Sequence, residues 1–300
     1  MSKSLRALGA TLLLGLAGAG GVRGQELVDW TVRTRVEPEA ISTGTEAVFW
    51  NPAGIGILAG RTERGEALVA AQQSSDDLGL KGFAASGAYR LPQRGTAVAL
   101  GYQHFGIDNI ERTGVEPPDG GTSDLIGVGE DRLTLGVAQP FGRLGYVGGL
   151  VEYDRSDSGA GVETGFTFGA GVLLRGGGRL QPELGAAGIA LSGSTRWRTG
   201  VGALLPLSAA LPATVRLSYG ITGQSDRPGR PAQRLAVTGD WREHVILSLA
   251  GVAEKSDGSQ AYTPEALAEF HVGRYLLGVV YDALPNGFGA ATSVHLGMSF

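Results

Sequence analysis

The feature that most constrains this chain is an alternation of apolar residues with small or polar ones, which begins at Glu66 and recurs to the C-terminus. Three clear examples are the segments 132–138, 214–221 and 234–241. A period of two residues predicts a β-strand whose two faces meet different environments. Because 42% of the residues are hydrophobic and the 51 glycines follow no three-residue period, disorder and a collagen helix are excluded. The sequence therefore predicts one large all-β domain.

Two all-β architectures fit this alternation: a soluble sandwich with an apolar core and a membrane barrel with an apolar exterior. The strand candidates number about fourteen, and bacterial outer-membrane barrels have an even number of strands. Their connections alternate between short and longer ones, as expected for periplasmic turns and extracellular loops. The short set is 91–95, 140–144, 175–178, 241–244 and 271–274, and the longer set is 106–131, 154–163, 222–232, 254–260 and 282–289. We therefore predict a transmembrane antiparallel β-barrel over residues 66–300, surrounded by outer-membrane lipid.

The last strand provides a second argument for a membrane barrel. Val294, Leu296, Met298 and Phe300 alternate with polar or small residues up to the C-terminus. An alternating last strand that ends in phenylalanine resembles the recognition signal of the outer-membrane assembly machinery. We therefore expect these four residues to form the assembly signal, with that machinery as a partner.

Residues 1–24 have the layout of an export signal. Lys3 and Arg6 form a basic start, and the apolar run 7–20 is too short to span a membrane as a helix. Small residues at positions 22 and 24 place the predicted cleavage after Gly24. An exported chain without spanning helices is secreted, periplasmic or an outer-membrane barrel, and the alternation favours the bacterial outer membrane.

Residues 25–65 do not alternate, and they contain a compact motif. Its core is Phe49, Trp50, Asn51, Pro52, Ala53 and Gly54. Asparagine caps helices through its side-chain oxygen, and proline fits the first helical position. Gly54 and Gly56 would let the chain turn tightly afterwards. We predict that this stretch is a plug inside the barrel lumen; the alternative is a loop with a short helix packed on a sheet edge.

Two sets of residues are predicted to face the lumen. The small residues, which would leave room for the plug, are Gly101, Gly136, Gly169, Gly171 and Gly202. The charged residues are Arg132, Arg196, Arg198, Arg216, Arg234 and Asp240. Such charges either pair with one another and fill the barrel, or contact the plug and line a path for a polar headgroup. We favour internal pairing over a path.

The motif at 47–54, Ala-Val-Phe-Trp-Asn-Pro-Ala-Gly, resembles the signature near the mature N-terminus of the PorV/PorQ family of outer-membrane proteins. That family is related to the FadL-type long-chain fatty-acid transporters, which also carry an Asn-Pro-Ala element. The resemblance implies a fourteen-stranded barrel whose N-terminal segment lies in the lumen. Two features differ from the family pattern: residues 35–41 replace a glycine-rich run, and the chain is shorter than typical FadL transporters.

The sequence predicts no enzyme, no cofactor and no metal site. The four histidines, His104, His244, His271 and His295, are scattered without ligand spacing, and His244 and His271 lie in predicted turns. Because there is no cysteine, thiolate ligands and cysteine nucleophiles are excluded. The net charge of −4 provides no electrostatic footprint for nucleic acid.

Three functions fit a plugged outer-membrane barrel. The first is transport of a small hydrophobic ligand, with the plug as gate and Pro182 marking a gap in the wall, because proline cannot donate to the strand ladder. The second, implied by the resemblance to PorV, is surface delivery of secreted proteins through type IX secretion. The third is a purely structural barrel. The motif favours the PorV/PorQ role, and the physical pattern favours small cargo.

Overall fold

The computed structural model describes residues 32–75, 79–92, 95–111, 125–157, 161–191, 194–207, 213–226, 231–242, 244–256, 259–284 and 289–300. The predicted export signal and residues 25–31 of the predicted plug lie outside the described residues. Ahead of the first strand the chain forms a 3-10 helix at Glu39–Ile41, one α-helical turn at Ala47–Trp50 and a 3-10 helix at Pro52–Gly60. None of the described helices is long and apolar enough to cross a membrane.

Fourteen antiparallel strands close into a barrel in which each strand pairs with its neighbours in sequence. They are β1 (Gly65–Ser74), β2 (Leu80–Arg90), β3 (Ala97–Glu111), β4 (Leu125–Phe141), β5 (Gly145–Asp157), β6 (Val162–Arg175), β7 (Gln181–Leu191), β8 (Ser194–Pro206), β9 (Ala213–Gln224), β10 (Ala232–Trp241), β11 (Val245–Ser256), β12 (Ser259–Val272), β13 (Tyr275–Ala283) and β14 (Ala290–Ser299). Closure joins β1 to β14, with Val69 opposite Leu296. The predicted fourteen-stranded antiparallel barrel is confirmed.

Burial alternates along the strands in the sense expected for a membrane barrel. The outward side chains of Leu217 and Leu235 remain 51% and 52% exposed, whereas the inward Ser218 and Thr238 are buried. An apolar exterior around a polar interior is the reverse of a soluble sandwich and suits contact with lipid. The sandwich alternative is therefore excluded.

Exposed aromatic residues flank this apolar exterior near both ends of the strands. One girdle contains Tyr89, Phe141, Trp241, Phe270 and Tyr275, and the other contains Phe83, Tyr102, Tyr153, Phe166 and Tyr281. Within the second girdle the rings of Phe83 and Tyr102 lie 6.4 Å apart, and those of Tyr153 and Phe166 lie 5.2 Å apart. Aromatic girdles of this kind mark the two membrane–water interfaces of a barrel.

The connections distinguish the two ends of the barrel. Strands β3 and β4 extend beyond the second girdle and are joined by residues 112–124, so this is the extracellular end. At the opposite, periplasmic end, residues 142–144 join β4 to β5 and residues 273–274 join β12 to β13. The strands are longer than the sequence indicated: the predicted loop 106–131 narrows to 112–124, because its flanks continue the β3–β4 ladder.

The predicted gap at Pro182 is wrong. Pro182 lies near the start of β7, opposite Ala203 of β8, and its carbonyl accepts a hydrogen bond of 2.7 Å from the Gly176 amide. Its missing N–H interrupts nothing, because the ladder with β6 runs from Glu183 onward. The predicted turn position of His271 is also wrong, since His271 lies within β12.

Candidate functional site in the barrel lumen

The lumen contains the described part of the N-terminal chain, residues 32–64, here called the N-terminal segment. Nearly every side chain from Val32 to Leu58 is buried, although these residues precede the barrel in the sequence. The helices of the segment contact the inner faces of successive strands from β2 to β9. This placement differs from the alternative of a helix on a sheet edge. Whether the segment acts as a plug stays a prediction.

Asn51 connects the segment to itself and to the barrel. Its side-chain oxygen accepts a hydrogen bond from the Ala53 amide at 3.1 Å and caps the 3-10 helix that begins at Pro52. Its amide nitrogen donates to the carbonyls of Ala40 and Val172, at 2.5 and 3.2 Å. The predicted cap and proline position are therefore correct, but the predicted turn after them is wrong, because the 3-10 helix continues to Gly60.

Glycines on the inner face let the segment approach the backbone of the barrel. They form a band across β3–β9 that consists of Gly101, Gly136, Gly148, Gly171, Gly185, Gly200, Gly202 and Gly220. A Cβ at any of these positions would press against the segment, and at Gly185 it would overlap the carbonyl oxygen of Ala40. We call this set the glycine band. Gly169, which the sequence also placed here, packs beside Leu150 and Ile189 of the barrel instead.

The inner face of β1–β3 carries no charge over most of its length. The inward residues within 68–74, 80–88 and 97–105 are glycines, neutral polar residues and apolar ones, the latter being Leu68, Ala70, Leu80, Ala84, Ala88, Ala97, Ala99 and Phe105. Val48 and Phe49 of the segment belong to the same buried apolar cluster as the alanines at 88, 97 and 99. We call this surface the uncharged wall.

The opposite side of the segment is held by ion pairs around Glu39. One carboxylate oxygen of Glu39 accepts a hydrogen bond of 2.5 Å from Arg198 Nε, and the other lies 3.5 Å from Arg33 Nη1. The two guanidinium groups lie over the Trp50 ring, with Arg33 5.8 Å and Arg198 5.2 Å from its centroid. Trp50 therefore stacks against the charges that join the segment to the barrel.

Further ion pairs continue this network across β9–β13. Arg234 donates two hydrogen bonds, of 2.8 and 2.9 Å, to the carboxylate of Glu265. Arg33 of the segment also approaches this region, lying 3.7 Å from Glu265 and 3.4 Å from Asp282. We call Arg33, Glu39, Arg198, Arg234, Glu265 and Asp282 the ion-pair cluster. Buried pairs with two parallel hydrogen bonds are geometrically specific.

The predicted lumen charges all lie on inward positions. Arg216 lies 3.4 Å from Glu183 and 3.7 Å from Glu37 of the segment. Arg132 contacts three carboxylates of β4 and β5: Glu130 at 2.6 Å, Glu152 at 3.4 Å and Asp154 at 3.0 Å. Arg196 is buried and Asp240 is half-buried on the same inner face. Internal pairing and contact with the segment therefore occur together, although the sequence analysis weighed them as alternatives.

The acidic partners Glu37, Glu39, Glu265 and Asp282 were missed by the sequence analysis. Glu265 and Asp282 lie in strands that alternate, on the same face as neighbouring polar residues. The alternation could therefore have indicated that their side chains face the lumen. Glu37 and Glu39 lie in the segment, where no period indicates which side chains face the barrel. Nothing in the local pattern marks the two segment residues as partners of distant arginines.

Two glutamates of the segment, Glu39 and Glu46, have pKa values shifted in opposite directions. Burial alone would raise the pKa of Glu39, but Arg198 and Arg33 outweigh burial and lower it to about 2. For Glu46 burial prevails and raises the pKa to about 7, although Arg35 and the Thr34 hydroxyl stabilise its charged form. Glu39 is therefore ionised at neutral pH, whereas Glu46 is half protonated there.

A second titratable cluster lies lower on β12–β14. Glu269 is 3.1 Å from His295 Nε2 and 2.5 Å from His271 Nε2. The imidazole of His295 is accommodated because Gly278 opposite it has no side chain. His295 faces the lumen, as predicted. Within the described part of the chain, no group of His, Cys, Asp or Glu residues is arranged to hold a metal ion.

The C-terminal residue closes the seam between β1 and β14. The Phe300 carbonyl accepts hydrogen bonds from the amides of Arg64 and Gly65, at 2.7 and 2.8 Å. Val294, Leu296 and Phe300 are exposed on the outer face. This geometry describes the end of the last strand, and its role as an assembly signal stays a prediction.

Comparison with known proteins places this fold among outer-membrane channels. No protein-family model matches the sequence, and no curated protein matches it. The CymD monoaromatic hydrocarbon channel aligns with a TM-score of 0.56 at 10% identity, covering 88% of this chain and 97% of CymD. The Ralstonia pickettii toluene transporter TbuX aligns with a TM-score of 0.55 at 11% identity, covering 90% and 97%. A ΔS2S3 mutant of the TodX monoaromatic hydrocarbon channel aligns with a TM-score of 0.53 at 8% identity, covering 92% and 97%.

The chain has the fold of an outer-membrane channel. Identities of about a tenth support a likeness of fold and nothing finer. Together with the apolar exterior and the aromatic girdles, this fold places the protein in the bacterial outer membrane.

Proposed function

We propose that this protein is an outer-membrane channel of the FadL type for small hydrophobic molecules, with the N-terminal segment as its plug. The observation that carries the proposal is the uncharged wall, which extends along β1–β3 beside the segment. An apolar solute on this side displaces water from neutral and apolar groups, whereas on the other strands it would have to desolvate charges. Passage along the uncharged wall, with displacement of the segment residues that pack against it, is therefore the least costly route.

The structural neighbours support the same class of cargo. CymD and TodX are monoaromatic hydrocarbon channels, and TbuX is a toluene transporter. We extend this class to the present chain as small aromatic hydrocarbons. The interior of this barrel adds a physical reason, because the inner face of β1–β3 presents a continuous uncharged surface.

The remaining sequence predictions fit this proposal. Residues 1–24 would direct export and be removed, and residues 25–65 would form the plug around Phe49–Gly54. The alternating residues that end at Phe300 would direct assembly into the membrane. Support for the plug comes from the close contact between Asn51 and the carbonyl of Val172 on β6.

The test introduces a charge on the uncharged wall. In Ala84→Glu a carboxylate replaces a methyl group at an inward position that is 1% exposed. We expect toluene permeation into vesicles to fall by roughly tenfold, the factor that 1.4 kcal/mol of added barrier produces. Heat-modifiable migration on gels would verify that the barrel is folded.

The matched control is Ala236→Glu, which is equally buried but lies on β10, two positions from Arg234. Because this side already carries charge, permeation of toluene should change by less than twofold. If both variants permeate like the wild type, hydrocarbons do not pass along the uncharged wall and the proposed route is wrong.

A second candidate is surface delivery of secreted proteins in the manner of PorV. The motif at 47–54 favours it, as does a lumen that the segment and its ion pairs fill. Purification from native outer membranes distinguishes the two. A stoichiometric secreted protein or a large secretion component would support the PorV/PorQ role, and bound lipid or hydrocarbon without a protein would support the channel.

A further inference from the structure

A set of arginines surrounds the periplasmic end of the barrel. Each lies in a turn or at a strand junction of this end, and each is exposed; the set is Arg64, Arg143, Arg179, Arg242 and Arg274. They are distributed around the circumference, at the start of β1 and at the β4–β5, β6–β7, β10–β11 and β12–β13 turns. We call them the arginine rim.

The arginine rim lies directly beside the periplasmic aromatic girdle. Arg242 follows Trp241, and Arg143 follows Phe141 by two positions, with both aromatic side chains about half exposed. Arg274 contacts the girdle itself, since its Nη2 donates to the Tyr275 hydroxyl at 3.0 Å and its guanidinium lies 5.2 Å from that ring. Aromatic girdles lie at the level of lipid headgroups, so the rim lies at that level too.

Exposed acidic side chains are rare among the described residues of this end. Among the described residues of the periplasmic turns and strand ends, Glu63 is the one exposed acidic residue. Glu183, near the same end, is buried and paired inward with Arg175. At the extracellular end charges of both signs are exposed, and Lys81 pairs with Asp108 at 3.0 Å. Among the described residues, the outward charge is therefore predominantly positive at the periplasmic end and of both signs at the other; Glu243, next to Arg242 in the sequence, lies outside the described residues.

We propose that the arginine rim binds the phosphate groups of phospholipids in the inner leaflet of the outer membrane. Guanidinium groups match phosphate oxygens geometrically and remain charged at any physiological pH. An arginine near an anionic lipid surface strengthens binding by about fivefold. The rim would thereby fix the depth of the barrel and recruit anionic headgroups around it. This inference depends on the membrane orientation of the barrel and is independent of its cargo.

The test uses the whole barrel refolded into phosphatidylcholine vesicles with and without phosphatidylglycerol. Native mass spectrometry counts the phosphatidylglycerol molecules retained on the protein. In the variant Arg143→Gln, Arg179→Gln, Arg242→Gln, Arg274→Gln, we expect the apparent affinity for phosphatidylglycerol to fall by roughly six-hundredfold, because four effects of about fivefold multiply. The four corresponding Arg→Lys changes should retain more binding than the glutamine variant, because the charge remains, and less than the wild type, because the guanidinium geometry is lost.

The matched control removes cations at the other end, with Lys81→Gln and Arg155→Gln, and should leave phosphatidylglycerol retention unchanged. Equal retention by the wild type and the quadruple glutamine variant would overturn the proposal. The proposal would also be overturned if the glutamine variant, purified from native membranes, lacked only an acidic periplasmic protein that the wild type retains. The partner of the arginine rim would then be that protein. Toluene permeation of the rim variant should equal that of the wild type, so failure here differs from failure of the channel proposal.

Discussion

The glycine band and the ion-pair cluster hold the same N-terminal segment by opposite means. Along β3–β9 the barrel presents glycines, so the segment packs against backbone and the fit depends on shape. Around Arg198 and Arg234 the barrel presents long charged side chains, so the fit depends on paired charges. A close packing contact cannot accommodate an added atom, but it does not depend on pH. An ion pair accommodates small movements, but its strength changes when its acid is protonated. The segment is therefore fixed sterically by the glycine band and held adjustably by the ion-pair cluster, and the two sets of contacts meet on β8.

The largest expected effect comes from filling the glycine band. In Gly185→Val the new side chain would overlap the Ala40 carbonyl, and neither backbone can move because both belong to hydrogen-bonded structure. We expect the segment to lose its place in the lumen, with a cost well above the roughly 1–3 kcal/mol of ordinary overpacking. Hydrogen exchange of residues 32–60 and leakage of small solutes would both rise.

The control for this change is Gly188→Val on the same strand. Gly188 faces outward, and the nearest atom to its Cβ position is 3.9 Å away. In Gly188→Val the amides of the N-terminal segment should exchange hydrogen at the same rates as in the wild type. Normal protection of the segment in Gly185→Val would show that the band does not determine its position.

The next effect comes from breaking the ion-pair cluster. Glu39→Gln removes the carboxylate that faces Arg198, a side chain only 2% exposed. Removing one partner of a buried pair costs about 3–5 kcal/mol. The segment should remain in the lumen but exchange faster, because the glycine band is unchanged.

Lys81→Gln is the comparison for Glu39→Gln, since it removes the exposed pair with Asp108. Exposed pairs contribute at most about 1 kcal/mol. If Glu39→Gln also changes unfolding in urea by no more than this amount, the ion-pair cluster does not hold the segment.

The pH dependence of segment binding should distinguish the two glutamates of the segment whose pKa values shift in opposite directions. The pKa of Glu46 is about 7 in place and 4.5 when released, so the bound segment retains a proton that the free one loses. The contribution of Glu46 to the binding free energy of the segment is therefore largest below pH 4.5. It decreases by about 3 kcal/mol as the pH rises to 7. Glu39 acts in the opposite sense, because its pKa in the bound segment is about 2. Its stabilising contribution to binding is complete above pH 4.5 and is lost only as the pH falls toward 2.

The measurement is hydrogen exchange of the segment between pH 5 and 8, corrected for intrinsic rates. The wild type should lose protection as pH rises, and Glu46→Gln should show a flat profile because its side chain cannot ionise. A wild-type profile as flat as that of Glu46→Gln would contradict the pKa shift. Gly188→Val should follow the wild type.

The smallest expected effect concerns Asn51, which lies where the motif meets β6. Asn51→Ala removes both the oxygen that accepts from Ala53 and the donor to Ala40 and Val172. Loss of these buried hydrogen bonds should cost about 1–3 kcal/mol, which urea unfolding would measure. Asn51→Asp should cost more, although it keeps the capping oxygen, because a carboxylate would lie against two carbonyl oxygens at a fully buried position. A smaller loss in Asn51→Asp than in Asn51→Ala would show that the cap outweighs the two donated bonds.

Much of the barrel could be predicted because strand alternation is a local property. The segment 234–241 shows which residues face lipid and which face the lumen, and the structure confirms this for Leu235 and Thr238. The cap at Asn51 was also predictable, since it involves residues two positions apart. The ends of the strands were predicted less accurately. Polar residues beyond the membrane, such as those near Asp131, continue the β3–β4 pairing although the strands have no apolar face there.

The sequence by itself determined a closed barrel with an apolar exterior, its strand number and the helix that Asn51 starts. Only the tertiary structure decided which glycines meet the segment and which acids meet the lumen arginines. The physical reason is separation along the chain: Arg198 and Glu39 are 159 positions apart, and nothing local distinguishes this pairing from others. Closing the barrel brings such residues together, and burial then makes an unpaired charge or a steric clash costly in free energy.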